Sequence, residues 1–283
     1  MTSRVLCRVS RLLEQATETG PVLGLDTSTQ IASLAIISRG CVAGSIAVPV
    51  SSHGASLPGV VDDLLSNAGF KIRDLAAIAV GIGPGSFTGL RIGLSYAKGL
   101  AMASGCALIG IPGFDAMAMA ARELAGQSDH ADIELGGLVA VVVDARKNEF
   151  YAALYRVVAD GLEKLTEDLV VTLEQLASRI TEHITEDVTF IGDSKAKDAA
   201  ILVGTRGHRA AVFETGTLDM RGVSVAAIGA ARFTRGEMDR VASLEPLYIR
   251  APEATFKPNL KSPASIGTEG VWSIERKNSF GNI

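Results

Sequence analysis

The stretch from Leu75 to Gly105 constrains the fold more than any other part of this 283-residue chain. Leu75-Ala-Ala-Ile-Ala-Val80 is an apolar run of the length a buried strand needs. Gly81, Gly83, Gly85 and Gly89, with Pro84 among them, then interrupt regular structure and allow close backbone approach. From Leu90 to about Ser104 the composition favours helix, so the unit reads strand, glycine-rich loop, helix. Gly89, Gly93, Ala97, Ala101 and Gly105 recur at every fourth position, which leaves one ridge of that helix almost bare of side chains. Gly93 and Gly99 each give up about 1 kcal/mol of helix propensity relative to alanine. That loss points to close packing, either inside the fold or across an interface.

The loop matches neither of two common phosphate cradles. A G-x-G-x-x-G pattern counted from Gly81 meets Ser86 at its last position, and a Walker loop needs Gly-Lys-Ser/Thr where this chain has Gly89-Leu90-Arg91. One reading is a tight strand-to-helix turn. The other is an anion or partner site, because Ser86, Thr88 and Arg91 gather hydroxyls and a cation at a helix N-terminus. Arg91 opposes the helix dipole there unless a negative group lies nearby.

Composition narrows the classes. Hydrophobic residues make up 47% and charged residues 20%, enough for a substantial core. The net charge of −4 gives no global basic footprint, so nucleic-acid contact by this chain alone would rest on a local patch. Cys7, Cys41 and Cys106 form neither a disulfide framework nor a zinc spacing and suit a reducing, cytoplasmic compartment. No apolar run approaches the roughly 20 residues of a membrane span.

Taken in order, Met1 to Gly20 reads as an extension ahead of the first strand. Val22–Leu25, Ile31–Ser38 and Cys41–Val48 read as strands joined by Asp26-Thr-Ser-Thr29 and Arg39-Gly40. A helix capped by Ser56 follows, in which Leu57, Val60, Val61, Leu64 and Leu65 form one apolar face. Asp62 and Asp63 are neighbours about 100° apart on the helix, as on a solvated face and not as a catalytic pair. Ser52-His53 lacks an orienting acid for nucleophilic catalysis. Beyond a strand at 107–111 and a helix at 114–124, the polar stretch 127–134 reads as a linker. The later strands end in Asp144 and at Ile191, with helices over 173–184 and 223–233. LGLDTSTQIASLAI has a weak echo in VVVDARKNEFYAALY, as an internal duplication would leave. Asp144 and Arg146 read as a turn ion pair or as cleft lining. Proline and polar residues dominate 251–283, a tail whose one notable residue is Trp272.

GIGPGSFTGLRIGLSYAKGLA resembles the signature of the bacterial TsaB family, also called YeaZ. Leu23-Gly-Leu-Asp26-Thr-Ser-Thr29, Val143-Asp144-Ala-Arg146 and Leu247-Tyr248-Ile-Arg250 match further family segments in order and spacing, spanning 229 of 283 residues. The resemblance implies an α/β, two-lobed actin/hexokinase-like (ASKHA, RNase H-like duplicated) fold. The expected parts are an extension at 1–21, a first lobe at 22–125, a second lobe at 135–250 and a tail at 251–283. It implies an accessory role in forming threonylcarbamoyladenosine in tRNA, as the paralogue and activator of the catalytic subunit TsaD, with the ATPase TsaE as a further partner and tRNA reached through the complex. Where that paralogue carries a metal-binding histidine pair, this chain reads Gly110-Ile-Pro-Gly-Phe-Asp-Ala-Met-Ala-Met119, so no metal site is expected.

In related ATPases an acid and small hydroxyl residues at the end of the first strand face phosphate. The matching positions here make Asp26, Thr27, Ser28, Gly83, Gly85, Ser86 and Thr88 the candidate nucleotide or phosphate contacts. Ser28 replaces the usual glycine, and Asp and Ser/Thr are also ordinary turn formers. No cofactor of its own is expected, with ATP or ADP at a subunit interface left open. Leu57, Val60, Val61, Leu64, Gly89, Gly93, Ala97 and Ala101 are the candidate partner surface, serving the heterodimer or a homodimer. An actin-like or sugar-kinase-like ATPase, a metallopeptidase and a homodimeric scaffold are the alternatives.

Overall fold

The computed structural model describes residues 19–49, 57–125, 137–159, 161–183, 187–192, 195–205, 209–214 and 221–249. Residues 1–18 of the expected extension, the Ser56 cap, Ser52-His53, the linker and the Trp272 tail lie outside them. Two sheets repeat one topology. The first holds β1 (Val22–Asp26), β2 (Ile31–Ser38), β3 (Cys41–Pro49), β4 (Ala77–Gly83) and β5 (Ala107–Pro112) in the order β3-β2-β1-β4-β5. The second holds β6 (Leu138–Asp144), β7 (Phe150–Val158), β8 (Gly161–Lys164), β10 (Val188–Gly192) and β11 (Ala210–Glu214) in the order β8-β7-β6-β10-β11, with β9 (Leu169–Val171) also paired to β7. In both, an antiparallel meander precedes parallel strands, and the central strands β1 and β6 each end in an aspartate. The sequence echo is therefore a duplication of topology.

Helices fill four faces. α1 (Leu57–Asn67) and α2 (Phe87–Ser104) cover one face of the first sheet, burying Leu57, Val61, Leu64, Leu94 and Ala97 against Leu23, Leu25 and Ile78. α2 starts three residues earlier than its composition suggests, because the Ser86 hydroxyl accepts a hydrogen bond from the Gly89 N–H at 3.3 Å. It ends at Gly105, whose φ of 74° suits a residue without a Cβ. α4 (Leu173–His183) and α5 (Lys195–Thr205) pack on one face of the second sheet. α3 (Gly113–Ala125) packs Phe114, Met117 and Ala121 on the other face, against Val139, Val141 and Tyr155. The sequence reading missed α5, β8, β9 and β11.

The range 135–250 is not one lobe. α6 (Arg221–Thr234) returns to the first sheet and buries Val223, Ala226, Ala227 and Ala230 against Val22, Ala77 and Ala79. Small residues on both sides permit it: a Cβ on Gly24 of β1 would lie 2.5 Å from the Ala226 nitrogen. Residues 237–249 then form a strap along the outer edge of β5. The Asp239 N–H donates to the Leu108 carbonyl (2.9 Å), and its carboxylate accepts from the Gly110 N–H (2.8 Å). Arg232 Nη1 donates to the Gly110 carbonyl at 2.7 Å, so side chains complete the ladder that the edge strand leaves open.

A polar contact links α3 to the second sheet. The Tyr155 hydroxyl donates to Asp115 Oδ1 at 2.7 Å, and Lys164 Nζ lies 3.3 Å from Asp115 and 2.7 Å from Asp168. Burial and the neighbouring Asp115 push the Tyr155 phenol far above its ordinary value. Burial alone would lower the Lys164 ammonium, but Asp168 and Asp115 outweigh it and raise it. No described helix is long and apolar enough to cross a membrane.

Candidate functional site

The β1–β2 turn, the glycine-rich loop and the N-termini of α2 and α6 converge. Asp26, Thr27 and Ser28 are all buried, at 1%, 4% and 6% exposure. Asp26 Oδ1 accepts from the Ser28 N–H (2.9 Å) and from the Ser28 hydroxyl (2.7 Å). The Thr27 hydroxyl donates to the Gly89 carbonyl at 2.7 Å, and the Ser86 N–H donates to the Ser28 carbonyl at 2.7 Å. A Cβ on Gly85 would meet that same carbonyl at 2.5 Å. The loop is thus laid directly on the turn and joined to it by the Thr27–Gly89 and Ser86–Ser28 hydrogen bonds.

Arg221, the first residue of α6, completes this arrangement. Its guanidinium is 5% exposed as a residue and lies 3.6 Å from Asp26 Oδ1. Its Nη2 donates to the Thr29 hydroxyl (2.6 Å) and to the Ile31 carbonyl (3.1 Å). Asp26 therefore faces an internal cation. Of the candidate phosphate contacts, Gly83 is also buried, whereas Gly85, Ser86 and Thr88 form an exposed rim. Nothing local in the sequence pointed to Arg221, 195 residues after Asp26.

The candidate partner surface needs correction. Gly89, Gly93, Ala97 and Ala101 face this chain's own first sheet, and Ala97 is fully buried. A Cβ on Gly89 or Gly93 would overlap the Thr27 carbonyl or hydroxyl, so those glycines serve packing within the chain. Leu57, Val61 and Leu64 are likewise core residues, with Val60 half-buried beside them. The exposed side of α2 is a different row: Phe87, Arg91, Ser95, Gly99 and Met102. Phe87 is 41% exposed and Met102 75% exposed. Half-buried Val60 of α1 and Ile92 and Tyr96 of α2 pack against the same core cluster, and burial and then Asp62 raise the Tyr96 phenol.

Arg91 packs on Phe87 and Tyr248. Its Cζ lies 3.9 Å from the Phe87 ring centroid, and its Nε donates to the Tyr248 hydroxyl at 3.0 Å. Asp144 and Arg146 form a turn in which the Arg146 N–H donates to Asp144 Oδ1 at 2.8 Å. Among the described residues no three His, Cys, Asp or Glu side chains are grouped to hold a metal.

The family described as "TsaD: tRNA N6-adenosine threonylcarbamoyltransferase" matches residues 47–256. The tRNA threonylcarbamoyladenosine biosynthesis protein TsaB of Haemophilus influenzae is 37% identical over 130 residues, 46% of this chain and 51% of that protein. Its namesake in Bacillus subtilis is 27% identical over 237 residues, 83% of this chain and 96% of that protein. The chain belongs to the TsaB family. In the Haemophilus case the chain spans about half the relative's length. A crystal structure of YeaZ from Pseudomonas aeruginosa, 25% identical, superposes with a TM-score of 0.62 over 82% of this chain and all of that one. The two-sheet architecture is like that of this YeaZ structure, and the segments that carried the resemblance fall at the β1–β2 turn, the glycine-rich loop with α2, the β6–β7 turn and, for 247–249, the strap.

Proposed function

We propose that this chain is the non-catalytic partner of a TsaD-type transferase, required for forming N6-threonylcarbamoyladenosine at position 37 of tRNAs. The observation that carries this reading is the closed β1–β2 turn. Asp26, Thr27 and Ser28 are held by the chain's own groups, and Arg221 stands 3.6 Å from the Asp26 carboxylate. With the turn occupied in this way, the reading places the chain's role on its surface. The surface we assign to a partner is the outer side of α2, where Phe87 and Met102 are exposed beside Arg91. On this reading the chain holds no nucleotide in its own turn; we propose further that it works in the cytoplasm and meets tRNA and a TsaE-type ATPase through the assembled complex.

Reconstitution tests this. tRNA modification is measured with the transferase alone, with this chain alone and with both, in the presence of the TsaE-type ATPase. Modification should require both proteins. Activity from this chain alone, or a transferase indifferent to it, refutes the proposal. Ser95→Arg, on the exposed row, should weaken co-purification with the transferase at least tenfold while the melting temperature stays within about 2 °C of wild type.

A further inference from the structure

We infer that the strap is a clasp that couples the two sheets into one cooperative unit, with Ile249 as its catch. The chain divides into two bodies: the first sheet with α1, α2 and α6, and the second sheet with α3, α4 and α5. α3 belongs with the second sheet. Its Phe114, Met117, Ala118, Ala120 and Ala121 lie in the cluster shared with that sheet, and the Tyr155 hydroxyl and Lys164 reach its Asp115. Among the described residues, only Ala116 of α3 joins the first sheet's cluster, together with Ala226, Ala227 and Ala230 of α6. On that seam both helices offer alanines, which bury little area each and interlock little. Packed helices of this kind can slide past one another in small shear movements.

The strap crosses from one body to the other. Its first part is fixed to the first sheet. Asp239 completes the ladder of β5, Val241 and Leu244 join the cluster of Leu23, Leu25 and Ile78, and a Cβ on Gly110 would lie 2.7 Å from Leu244 Cδ1. The Leu247 N–H then donates to the Ile82 carbonyl of β4 at 2.7 Å, and the Tyr248 hydroxyl accepts from Arg91 Nε at 3.0 Å. Ile249 enters the second body, packing on the cluster of Phe114, Met117, Val141 and Tyr155. Of the described residues in that cluster, Ile249 is the one supplied by neither α3 nor the second sheet. The span from Leu247 to Ile249 reaches about 7 Å at full extension. An anchor on β4 and a contact on α3 that close together hold the two bodies in step. Protection of the β5 edge accounts for Asp239 and Leu244, but not for residues 247–249, which leave β5 for β4 and α3.

The test reads each body separately in the full-length protein, by pulsed hydrogen exchange across a urea series with mass spectrometry of peptides from β1–β4 and from β6–β10. Wild type should give one midpoint for both sets of peptides. Ala177→Gly, in the buried face of α4, weakens the second body directly, because glycine is a poor helix former. With the clasp intact it should lower both midpoints together. Ile249→Ala should separate the two midpoints by more than about 0.5 M urea. Adding Ala177→Gly to it should then move the second body's midpoint and leave the first in place. Leu247→Pro removes the N–H donated to Ile82 and leaves the cluster around Phe114 intact, and it should uncouple the bodies in the same way. Separate midpoints in wild type overturn the inference. So does an Ile249→Ala or Leu247→Pro protein whose two bodies still unfold together, at whatever urea concentration, since that is how ordinary packing by the strap would behave.

Discussion

Two glycines in α2 should respond to the same substitution with opposite sign. At Gly93 a Cβ would overlap the Thr27 hydroxyl and lie 3.3 Å from Leu25 Cδ1. The hydroxyl cannot step aside without releasing its buried 2.7 Å hydrogen bond to the Gly89 carbonyl. Overpacking costs about 1–3 kcal/mol, and an orphaned buried carbonyl about 1–3 kcal/mol more. Helix propensity returns about 1 kcal/mol. The net for Gly93→Ala is a destabilisation of roughly 3 kcal/mol, a fall of about 6–12 °C in melting temperature for a chain of this size. At Gly99 a Cβ would meet no atom within 4 Å, so only the propensity gain remains. Gly99→Ala should raise the melting temperature by about 2–4 °C. Calorimetry or circular-dichroism melts of the two variants side by side decide it. If Gly93→Ala melts at or above wild type, the bare ridge does not lie on the β1–β2 turn and the closed-site argument fails with it.

Arg221→Met leaves the buried Asp26 carboxylate without its cation and should cost about 3–5 kcal/mol in urea unfolding. Adding Asp26→Asn should recover much of that loss, and a double variant as unstable as the single one would show that the pair is not coupled. Tyr155 and Lys164 both have values raised in the fold, so the stability they confer is complete below about pH 10 and lost as pH rises beyond it. Tyr155→Phe should flatten that alkaline decline in melting temperature between about pH 9 and 11, and an unaltered slope would count against the link between α3 and the second sheet. Purified protein should carry no stoichiometric zinc or iron, since residues 110–119 include no histidine; one tightly bound metal per chain in elemental analysis would overturn this.

What sequence made legible was local. The glycine loop, the apolar face of α1 and the repeated run ending in Asp26 and Asp144 are patterns within a few residues, and each marks an element that exists. Which side of α2 stays exposed was not legible. A bare ridge signals close approach by something, and a row of small residues reads alike against a sheet and against a second protein. Its occupant is Thr27, 62 residues before Gly89. Arg221 and Tyr248 escaped for the same reason: each acts on a residue more than 150 positions away. The lobe assignment of α6 failed because nothing within an alanine-rich helix says which of two sheets it will cover. Only the small residues of β1 and β4 opposite it decide where it lies.

The return of α6 to the first sheet has a consequence for how the protein is made. When the ribosome has completed β5, at Pro112, the face of the first sheet carrying Val22, Ala77, Ala79 and Ile109 has no cover. The helix that shields it ends at Thr234, roughly 120 residues later, which at about 5–20 residues per second is on the order of 6–24 s. During that interval the nascent chain displays an oily sheet while the second sheet is synthesised and can fold behind it. Chaperone engagement should therefore peak between these two lengths and cease once α6 emerges from the exit tunnel.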